Sequence, residues 1–535
     1  MSTNAMNRRV FLKSSLATAA AASLGPAARW AGALAAPAGG PAAGAPPAGS
    51  LVGSRPNIIL ILTDDQGYGE IAAHGNTIIQ TPNLDRLRGQ SIRFEEFHVS
   101  PTCAPTRCSI MTGRQEFRSG VTHTILERER MSLKATPLPQ LLKAAGYATG
   151  IFGKWHLGDE DAYQPGRRGF DEVYIHGCGG IGQTFGGSCG DAPRNSYFGP
   201  YVRHNGTFVK TDAFCTDVFF GQATTWIDQQ RQAGKPFFAY ITPNAPHAPY
   251  QCPEKYLKLY EGKGLDKNAA AYYGMITNID ENVGRLMDRL KEWGLDEKTL
   301  LIFMTDNGHS MAPLFNAGMR GAKGSPWRGG TRTAAFWRWT GKFRPGQEID
   351  KLTAHVDILP TFVELAGAKL PGAKDGDKAS GEKVPGEKLP EAKLDGRSLL
   401  PLLSDPAAKW DERILVTHVG RWGRGQAEQA KYRNCSVFNS RFRLVENKQL
   451  FDYRTDPGEK TDVAAEHPDV VAKLRAAYDQ WWSEVLPCLE NESVTGPPVN
   501  PWKEAFWKQY GGGPASQPAS RPAGADRKGK KKKDA

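Results

Sequence analysis

The stretch Asn57-Ile-Ile-Leu-Ile-Leu-Thr-Asp-Asp65 is the strongest indication of the fold of this 535-residue chain. Its continuous run of branched apolar residues is typical of a strand that is buried on both faces, as in a parallel sheet. A second stretch of the same kind, Leu300-Leu-Ile-Phe-Met-Thr-Asp-Asn307, lies far along the chain. Ligands gather at the carboxyl ends of the strands in parallel sheets, and both stretches place polar residues there.

Helical and strand-like patterns alternate along most of the chain. The predicted helices begin at Thr81-Pro82, Thr136-Pro137 and Cys215, and a further one carries Ile279 to Leu290 at helical spacing. The predicted strands between them are Tyr147 to Phe152, Phe237 to Ile241 and Leu300 to Met304. Repeated helix-then-strand units indicate an α/β domain with a large, mostly parallel mixed sheet flanked by helices.

After Leu403 the pattern changes to short strand-like runs and one amphipathic helix. The runs are Arg413 to His418, Asn434 to Phe438, Arg441 to Val445 and Leu450 to Tyr453, and the helix spans about Pro468 to Val485. We therefore expect a catalytic domain over residues 55–403 and a smaller C-terminal subdomain, an antiparallel sheet plus a helix, over residues 404–509. The lysine-rich insert at residues 369–393 is predicted to be an exposed loop.

The formal charge of +12 suggests a nucleic-acid partner until its placement is considered. Much of this charge lies in the insert and in the tail, residues 510–535, which ends in Arg527-Lys-Gly-Lys-Lys-Lys-Lys533. Both segments are predicted to be solvated disorder, so no nucleic-acid partner is expected. The tail is then a soluble appendage or, alternatively, a weak anchor to an anionic surface.

The N-terminus is predicted to be a targeting segment. Arg8-Arg9-Val-Phe-Leu-Lys13 precedes an alanine-rich run, and Ala33-Leu34-Ala35 offers a cleavage pattern. This resembles a twin-arginine export signal over residues 1–35, followed by a flexible linker over residues 36–54. The expected partner is the twin-arginine export machinery, and the expected location is the periplasm or another exported compartment. A chance Arg-Arg pair in a low-complexity stretch is the alternative.

The eight cysteines do not have the spacing of a zinc site. An oxidising compartment permits a disulfide among Cys178, Cys189, Cys215 and Cys252, although isolated buried thiols are the more frequent alternative. Cys103 differs from these, because it stands at a predicted helix start within Cys103-Ala-Pro-Thr-Arg107. A helix N-terminus and a nearby guanidinium both favour a thiolate.

Oxygen-bearing side chains follow two of the predicted strands. Asp64 and Asp65 are adjacent carboxylates that repel each other unless a cation lies between them, and such hard oxygen ligands suit Ca²⁺ or Mg²⁺. An isolated Asp-Asp pair is more often a solvated turn. Asp306 and Asn307 repeat the arrangement at the end of another buried strand. Two such pairs on one sheet edge predict a hard-cation site.

Basic side chains follow other predicted strand ends. Lys154 and His156 leave the end of the strand that begins at Tyr147, which suits binding an oxyanion and moving a proton. His247 follows the next strand between two prolines, and Lys323 lies in a glycine-rich loop whose backbone can approach a ligand closely. A lone histidine is more often structural, so these residues indicate a site only when they are taken together.

These motifs together resemble those of the type I, formylglycine-dependent sulfatases of the alkaline-phosphatase-like superfamily. The similarity runs from Pro56 to Asp456-Pro-Gly-Glu459 and includes the segments Cys103-Ala-Pro-Thr-Arg107, Met111-Thr-Gly-Arg114 and Leu394-Asp-Gly-Arg-Ser-Leu-Leu-Pro401. Thr106 is a departure, because the family more often has serine there. The Cys, Pro and Arg of the modification motif are intact.

The resemblance implies an alkaline-phosphatase-like fold and an arylsulfatase-like sulfuric ester hydrolase that acts on a sulfated carbohydrate or an aryl sulfate. It implies that a formylglycine-generating maturation system converts Cys103 to formylglycine and that each chain binds one Ca²⁺. The implied calcium ligands are Asp64, Asp65, Asp306, Asn307 and an oxygen of the modified Cys103. The implied catalytic residues are Arg107, which orients the formylglycine, and Lys154, His156, His247 and Lys323, which contact sulfate or transfer protons.

Two other functions are compatible with these residues. A phosphate monoester or diester hydrolase of the same superfamily would be expected to hold two metals with several histidine ligands, and that second set is not evident. A non-catalytic, glycan-binding homologue would keep the fold without turnover, and the complete motifs argue against it. Substrate specificity is expected to lie in residues 176–190, residues 311–320 and the C-terminal domain.

Overall fold

The apolar run that begins at Asn57 forms a central strand of the large sheet in the computed structural model, which describes residues 50–311, 314–370 and 394–513. The predicted export signal, most of the lysine-rich insert and most of the basic tail lie outside these ranges and stay predictions. The described residues all fall within one compact unit. No helix in the described ranges has both the length and the apolar character needed to cross a bilayer.

Sixteen strands are present in the described residues. In chain order they are β1 (Asn57–Thr63), β2 (Ile92–Phe94), β3 (Phe97–His98), β4 (Ala148–Lys154), β5 (Glu172–His176), β6 (Tyr201–His204), β7 (Thr207–Lys210), β8 (Phe237–Thr242), β9 (Thr299–Thr305), β10 (Ala335–Arg338), β11 (Glu348–Ile349), β12 (Thr353–Ala354), β13 (Leu415–His418), β14 (Cys435–Phe438), β15 (Phe442–Val445) and β16 (Gln449–Asp452).

Ten of these strands form one sheet in the order β11-β2-β10-β9-β1-β8-β4-β5-β6-β7. Its five central strands, β9, β1, β8, β4 and β5, run parallel to one another. Antiparallel strands flank them, with β10 on one side and the β6–β7 hairpin on the other. This arrangement confirms the predicted large, mostly parallel mixed sheet.

The buried strands supply two cores, one on each face of the sheet. Ile58, Leu60 and Leu62 of β1 pack into one core, and Ile59 and Ile61 pack into the other. Side chains alternate between the two faces of a strand, so a strand covered on both faces must be apolar at every position. Each fully buried side chain of this size contributes about 1.5–3 kcal/mol through removal of apolar surface from water.

Eleven α-helices are present in the described residues, and most of them cover the two faces of the sheet. They are α1 (Pro82–Gly89), α2 (Cys103–Thr112), α3 (Leu138–Ala144), α4 (Cys215–Gln232), α5 (Glu254–Leu257), α6 (Lys267–Glu292), α7 (Arg328–Thr331), α8 (Ile358–Ala366), α9 (Leu400–Ser404), α10 (Pro468–Val485) and α11 (Pro501–Tyr510). The longest, α6, starts at Asp266, whose side chain accepts a hydrogen bond from the backbone N–H of Ala269.

The C-terminal part of the chain forms a four-stranded antiparallel sheet, ordered β13-β14-β15-β16. Helix α10 packs on this sheet through Leu474, Tyr478 and Trp482, which share a core with Val437 and Leu444. The predicted antiparallel sheet plus helix is therefore confirmed. The predicted domain boundary between residues 403 and 404 stays a prediction.

The last helix, α11, was not predicted and does not pack on the small sheet. Its Trp502 and Phe506 pack against Phe208 of β7, at the far edge of the large sheet. Asn500 caps the helix by accepting hydrogen bonds from the first backbone N–H groups. Tyr510, where the sequence predicted that disorder begins, is the last residue of this helix.

A buried ion pair joins the small sheet to the rest of the protein. Arg443 Nε on β15 lies 3.0 Å from Glu459 Oε1, and both side chains are fully buried. Arg443 Nη1 also donates to the carbonyl oxygen of Pro326, and Glu459 Oε2 accepts from the backbone N–H of Arg328. The pair therefore fixes the loop that precedes α7, a few residues after Lys323.

Removal of one partner of this ion pair is expected to destabilise the fold. Glu459→Gln should lower the free energy of unfolding by about 3–5 kcal/mol, because it leaves a buried guanidinium without its countercharge. Glu292→Gln removes one partner of the exposed pair with Arg289 and should cost less than about 1 kcal/mol. Urea unfolding measures both, and similar small losses would show that the Arg443 pair is not important for stability.

Strands β4 and β8 approach each other closely at Gly153. Its φ is 123°, and a Cβ at this position would lie 1.9 Å from the carbonyl oxygen of Thr242. Only glycine fits between the two backbones here. The close contact holds the end of β4 and therefore the next residue, Lys154, beside β8.

Gly153→Ala is expected to lower the free energy of unfolding by about 1–3 kcal/mol or more, because the added methyl must separate β4 from β8. Gly89→Ala is a suitable control, since nothing lies within 4 Å of a Cβ at that helical position. Alanine there should be neutral or stabilising. The two variants are compared by thermal and urea unfolding. A Gly153→Ala protein as stable as the wild type would rule out the close approach.

Candidate active site

The parallel strands end at one edge of the sheet, and this edge collects the residues that the sequence singled out. Strands β1 and β9 are paired in register up to Thr63 and Thr305, so the residues that follow them are neighbours. The structure brings all ten predicted residues together at this edge, on the strand ends, on the loops beside them or, for Cys103 and Arg107, on helix α2. They are Asp64, Asp65, Cys103, Arg107, Lys154, His156, His247, Asp306, Asn307 and Lys323.

The predicted oxygen donors are buried and in contact with one another. Asp64 and Asp306 are fully buried, and Asp65 is 2% exposed, so the adjacent carboxylates are not a solvated turn. The backbone N–H of Asp65 donates to Asp306 Oδ1 at 3.0 Å, and Asn307 Nδ2 donates to Asp65 Oδ1 at 3.0 Å. Asp65 has a φ of 67°, a conformation that is costly for a residue with a side chain and is often retained at functional sites.

Each of the three carboxylates has a cationic partner. Lys154 Nζ lies 2.6 Å from Asp64 Oδ2, and Lys323 Nζ lies 2.6 Å from Asp65 Oδ2. These contacts balance the charges within the cluster, which would otherwise be too costly to bury.

The third cation, Arg107, also fixes the position of a neighbouring strand end. Its Nη2 lies 3.0 Å from Asp306 Oδ2. Its Nη1 donates to the carbonyl oxygen of Lys154 at 3.0 Å. One guanidinium on α2 therefore holds the end of β4 and the residue after β9 together.

Cys103 is the first residue of α2 and is 2% exposed. Its Sγ and one carboxylate oxygen each from Asp64 and Asp306 all lie within 4.8 Å of one another. Thr106, one turn later, donates its hydroxyl hydrogen to the carbonyl oxygen of Ser100 at 3.1 Å. A serine could make the same hydrogen bond, so threonine in place of the family's more frequent serine preserves this contact.

The two histidines are held through one ring nitrogen each. His156 Nε2 lies 2.8 Å from the carbonyl oxygen of Thr124. A carbonyl only accepts hydrogen bonds, so Nε2 carries the proton and Nδ1 of the neutral ring keeps a lone pair. Nδ1 is buried and has no partner among the described residues. His247 Nδ1 donates to the carbonyl oxygen of Ala248 at 2.7 Å, and its Nε2 faces Asp65 Oδ2 at 3.6 Å.

Burial and close charges shift the pKa values of these groups in opposite directions. Burial by itself raises the pKa of Asp64, but nearby charges, Lys154 above all, hold it well below its usual value. At Asp306 burial and the neighbouring Asp64 carboxylate raise the pKa. Burial and the charge of Lys154 lower the pKa of His156 well below its usual value, so its imidazole is neutral at pH 7.

The oxygen donors fit a hard divalent cation. Asp64 Oδ1 and Asn307 Oδ1 are buried and have no hydrogen-bond partner in the described part of the chain. A buried oxygen without a partner is unfavourable unless another group or an ion takes it. Ca²⁺ prefers carboxylate and amide oxygens of this kind. Among the described residues, the group beside Asp64 and Asp306 also includes the soft thiol of Cys103, and an oxygen at its place would match the other donors better.

Sequence reasoning missed two residues that hold the site. Asn244 Nδ2 donates to Asp64 Oδ2 at 2.9 Å, and its Oδ1 accepts from the backbone N–H of Ile181. Asn244 follows β8 closely, so the strand-end rule that selected His247 would also have selected it. Thr124, which holds His156, follows no strand, and no local pattern marks it.

Among the four cysteines considered for a disulfide, Cys178 and Cys189 lie together. Their Sγ atoms are 2.7 Å apart, and both are buried free thiols. They lie beside the same edge of the sheet, because a ring nitrogen of His156 and both sulfurs are within 4.8 Å of one another.

A cavity of about 470 Å³ lies away from the predicted residues, between the small sheet and the main body of the protein. Arg118, His355, Arg413 and Trp481 contribute to its walls. None of the ten predicted residues lines it. The site is therefore identified by the convergence of charged groups and not by the volume of a cavity.

Comparisons with known proteins indicate the family of this chain. The family model described as Sulfatase matches residues 56–368, more than half of the chain. Arylsulfatase J of Mus musculus is 26% identical over 488 residues, covering 85% of this chain and 79% of that protein. N-acetylgalactosamine-6-sulfatase of Rattus norvegicus is 31% identical over 370 residues, covering 62% of this chain and 64% of that protein, slightly less than two thirds of its length.

Solved structures share the same architecture. The crystal structure of Ps i-CgsB in complex with k-i-k-neocarrahexaose matches with a TM-score of 0.68 and 25% sequence identity, covering 85% of this chain and 97% of that chain. This match extends beyond the region of the family model and includes most of the described residues. The expected family and fold are thereby confirmed, and this chain belongs to the sulfatase family of enzymes, within the alkaline-phosphatase-like superfamily.

Proposed function

We propose that this protein releases sulfate from a sulfated carbohydrate, using Ca²⁺ and a formylglycine made from Cys103. The observation that carries the proposal is the grouping of the Cys103 sulfur with oxygens of Asp64 and Asp306 within 4.8 Å, at an edge where basic residues from several loops meet. N-acetylgalactosamine-6-sulfatase is named for a sulfated amino sugar, and the Ps i-CgsB structure holds neocarrahexaose. Both support a carbohydrate substrate.

The charge of the cluster supports binding of both a divalent cation and an anionic ester. Three buried carboxylates face Lys154, Lys323 and Arg107, so the cluster is close to neutral when His156 and His247 are uncharged. Addition of Ca²⁺ would make it positive, and a positive buried site attracts a sulfate ester. Asp64, Asp65, Asp306 and Asn307 would hold this ion together with an oxygen of the modified Cys103. When bound, Ca²⁺ would stabilise negative charge on the oxygens that it contacts.

Conversion of Cys103 would require a formylglycine-generating maturation system as a partner. The hydrated aldehyde would supply one oxygen that attacks sulfur and a second hydroxyl through which sulfate is expelled. Helix α2 presents this residue at its first position, where the helix dipole favours negative charge. Arg107, one turn further along α2, binds the Asp306 carboxylate and the backbone carbonyl at the end of β4.

The lysines and histidines would bind the sulfate group and move protons. Lys154 and Lys323 already place their ammonium groups against the carboxylates, where they can neutralise charge that develops on the sulfuryl oxygens. His156 offers an unpartnered Nδ1 lone pair as a base. His247 faces the same cluster through Nε2, while its Nδ1 donates to the carbonyl oxygen of Ala248. In the form with Nε2 protonated, His247 is our candidate for the donor of a proton to the departing alcohol.

The proposal also includes export through the twin-arginine machinery to the periplasm or to another exported location. Residues 1–35 lie outside the described part of the chain, so the support comes from the sequence pattern alone. An exported enzyme would meet carbohydrate polymers that cannot enter the cell.

The central test is sulfate release by protein produced together with a formylglycine-generating system. We expect release from at least one sulfated sugar, and a Cys103 peptide that has lost sulfur and gained an aldehyde oxygen by mass spectrometry. Cys103→Ala should reduce release to the rate without enzyme. Cys108→Ala is the matched control, because this buried cysteine lies in the same helix and has no proposed role.

Three results would contradict the proposal. An intact Cys103 thiol in all of the active protein would exclude the formylglycine chemistry. Faster hydrolysis of 4-nitrophenyl phosphate than of 4-nitrophenyl sulfate by the wild type would favour the phosphoesterase alternative. Glycan binding without any turnover by fully modified protein would favour the non-catalytic alternative.

Calcium is expected to stabilise the folded protein. At about 100 times its dissociation constant, a ligand that binds only the native state adds about 2.7 kcal/mol to the free energy of unfolding. Chelation with EGTA should therefore lower the melting temperature and the rate of sulfate release together, and added Ca²⁺ should restore both. Asn307→Ala should weaken this response by removing a donor oxygen. An EGTA-treated protein with an unchanged melting temperature would refute the calcium site.

A further inference from the structure

The small sheet brings a positive side chain to the edge of the active site. Arg421 lies in the loop between β13 and β14, and its Nη2 donates to the hydroxyl oxygen of Thr124 at 3.3 Å. The carbonyl oxygen of the same threonine holds His156 at 2.8 Å. Arg421 Nη1 lies 3.8 Å from where a Cβ on Gly324 would be, next to Lys323. Arg421 therefore bridges two loops that hold residues of the catalytic cluster.

The backbone at Arg421 is fixed from both sides. Gly420 has a φ of 67°, and a Cβ there would lie 1.8 Å from the carbonyl oxygen of Thr122. On the other side, the carbonyl oxygen of Trp422 accepts a hydrogen bond of 2.7 Å from the buried Arg128. Arg421 itself has a φ of 59°, which is costly for a residue other than glycine. The side chain of Arg421 is nevertheless exposed.

Arg421 differs from the arginines near it in having no countercharge. Arg424 Nη2 lies 2.6 Å from Glu127 Oε2, and Arg128 Nε lies 3.5 Å from Glu492 Oε2. Across residues 50–311, 314–370 and 394–513, no carboxylate lies beside Arg421 in this way, and its hydrogen-bond partner is the neutral Thr124 hydroxyl. Most of its guanidinium donors are therefore available to a ligand.

We propose that Arg421 binds a second anionic group of the substrate, a carboxylate or a further sulfate, next to the sulfate ester that is cleaved. The planar guanidinium fork matches both groups, which can accept two parallel hydrogen bonds. Lys154 and Lys323 already contact carboxylates of the catalytic cluster, whereas Arg421 does not. This inference rests on the proposed sulfatase function and narrows its substrate to a sugar that carries at least two negative charges.

The test starts from a monosulfated sugar that the wild type desulfates. It compares this sugar with two derivatives, one carrying a second sulfate and one linked to a uronic acid. Arg421→Gln should lower kcat/KM for at least one derivative about tenfold more than for the parent sugar, because a hydrogen-bonded charge contact is lost. The change should lie mainly in KM. Arg421→Lys should give an intermediate loss, since it keeps the charge without the fork.

Arg424→Gln is the matched control, because it removes the same charge from the same loop. It should leave the ratio of kcat/KM values between derivative and parent near that of the wild type. Equal losses for parent and derivatives in Arg421→Gln, or equal ratios in the two variants, would overturn the inference while leaving the sulfatase function intact. A wild type that releases sulfate from none of the sugars would instead overturn the proposed function, and this inference with it.

Discussion

Three carboxylates buried at one edge of the sheet are the constraint on which the active site depends. Asp64, Asp65 and Asp306 lie within reach of one another, and like charges cannot remain ionised in a protein interior without compensation. Lys154, Lys323 and Arg107 each supply a positive charge to one of them. The loops that carry these residues must therefore converge on the same edge. A divalent cation would shift the balance from neutral to positive and prepare the site for an anionic ester.

Bringing so many polar groups together requires backbone conformations that are unfavourable by themselves. Asp65 and His156 both have positive φ angles, and Gly153 stands where a methyl group would meet the carbonyl oxygen of Thr242. Such conformations persist because the two cores on the faces of the sheet hold β1, β4, β8 and β9 in place. Stability gained by apolar burial thus supports a local geometry that would be unfavourable in isolation.

The small sheet contributes to the site although it lies outside the parallel sheet. Its buried pair, Arg443 and Glu459, fixes the backbone at Pro326 and Arg328 and so the end of the loop that carries Lys323. A second loop of this sheet places Arg421 beside Thr124. The C-terminal part of the chain therefore supports the loop that carries Lys323 and places the Arg421 side chain beside Thr124.

The parallel core and the convergence of the predicted residues on one edge can be inferred from the sequence, because residues after neighbouring parallel strands must share an edge and because the motifs resemble those of a known family. Local signals for the Asn205-Gly206 hairpin turn and for α11 after Asn500 were also present, and they were overlooked. The contacts of Thr124 with His156 and Arg421 become visible only in the folded protein. Thr124 is far from both residues in the chain and follows no strand or motif, so packing alone brings it to them.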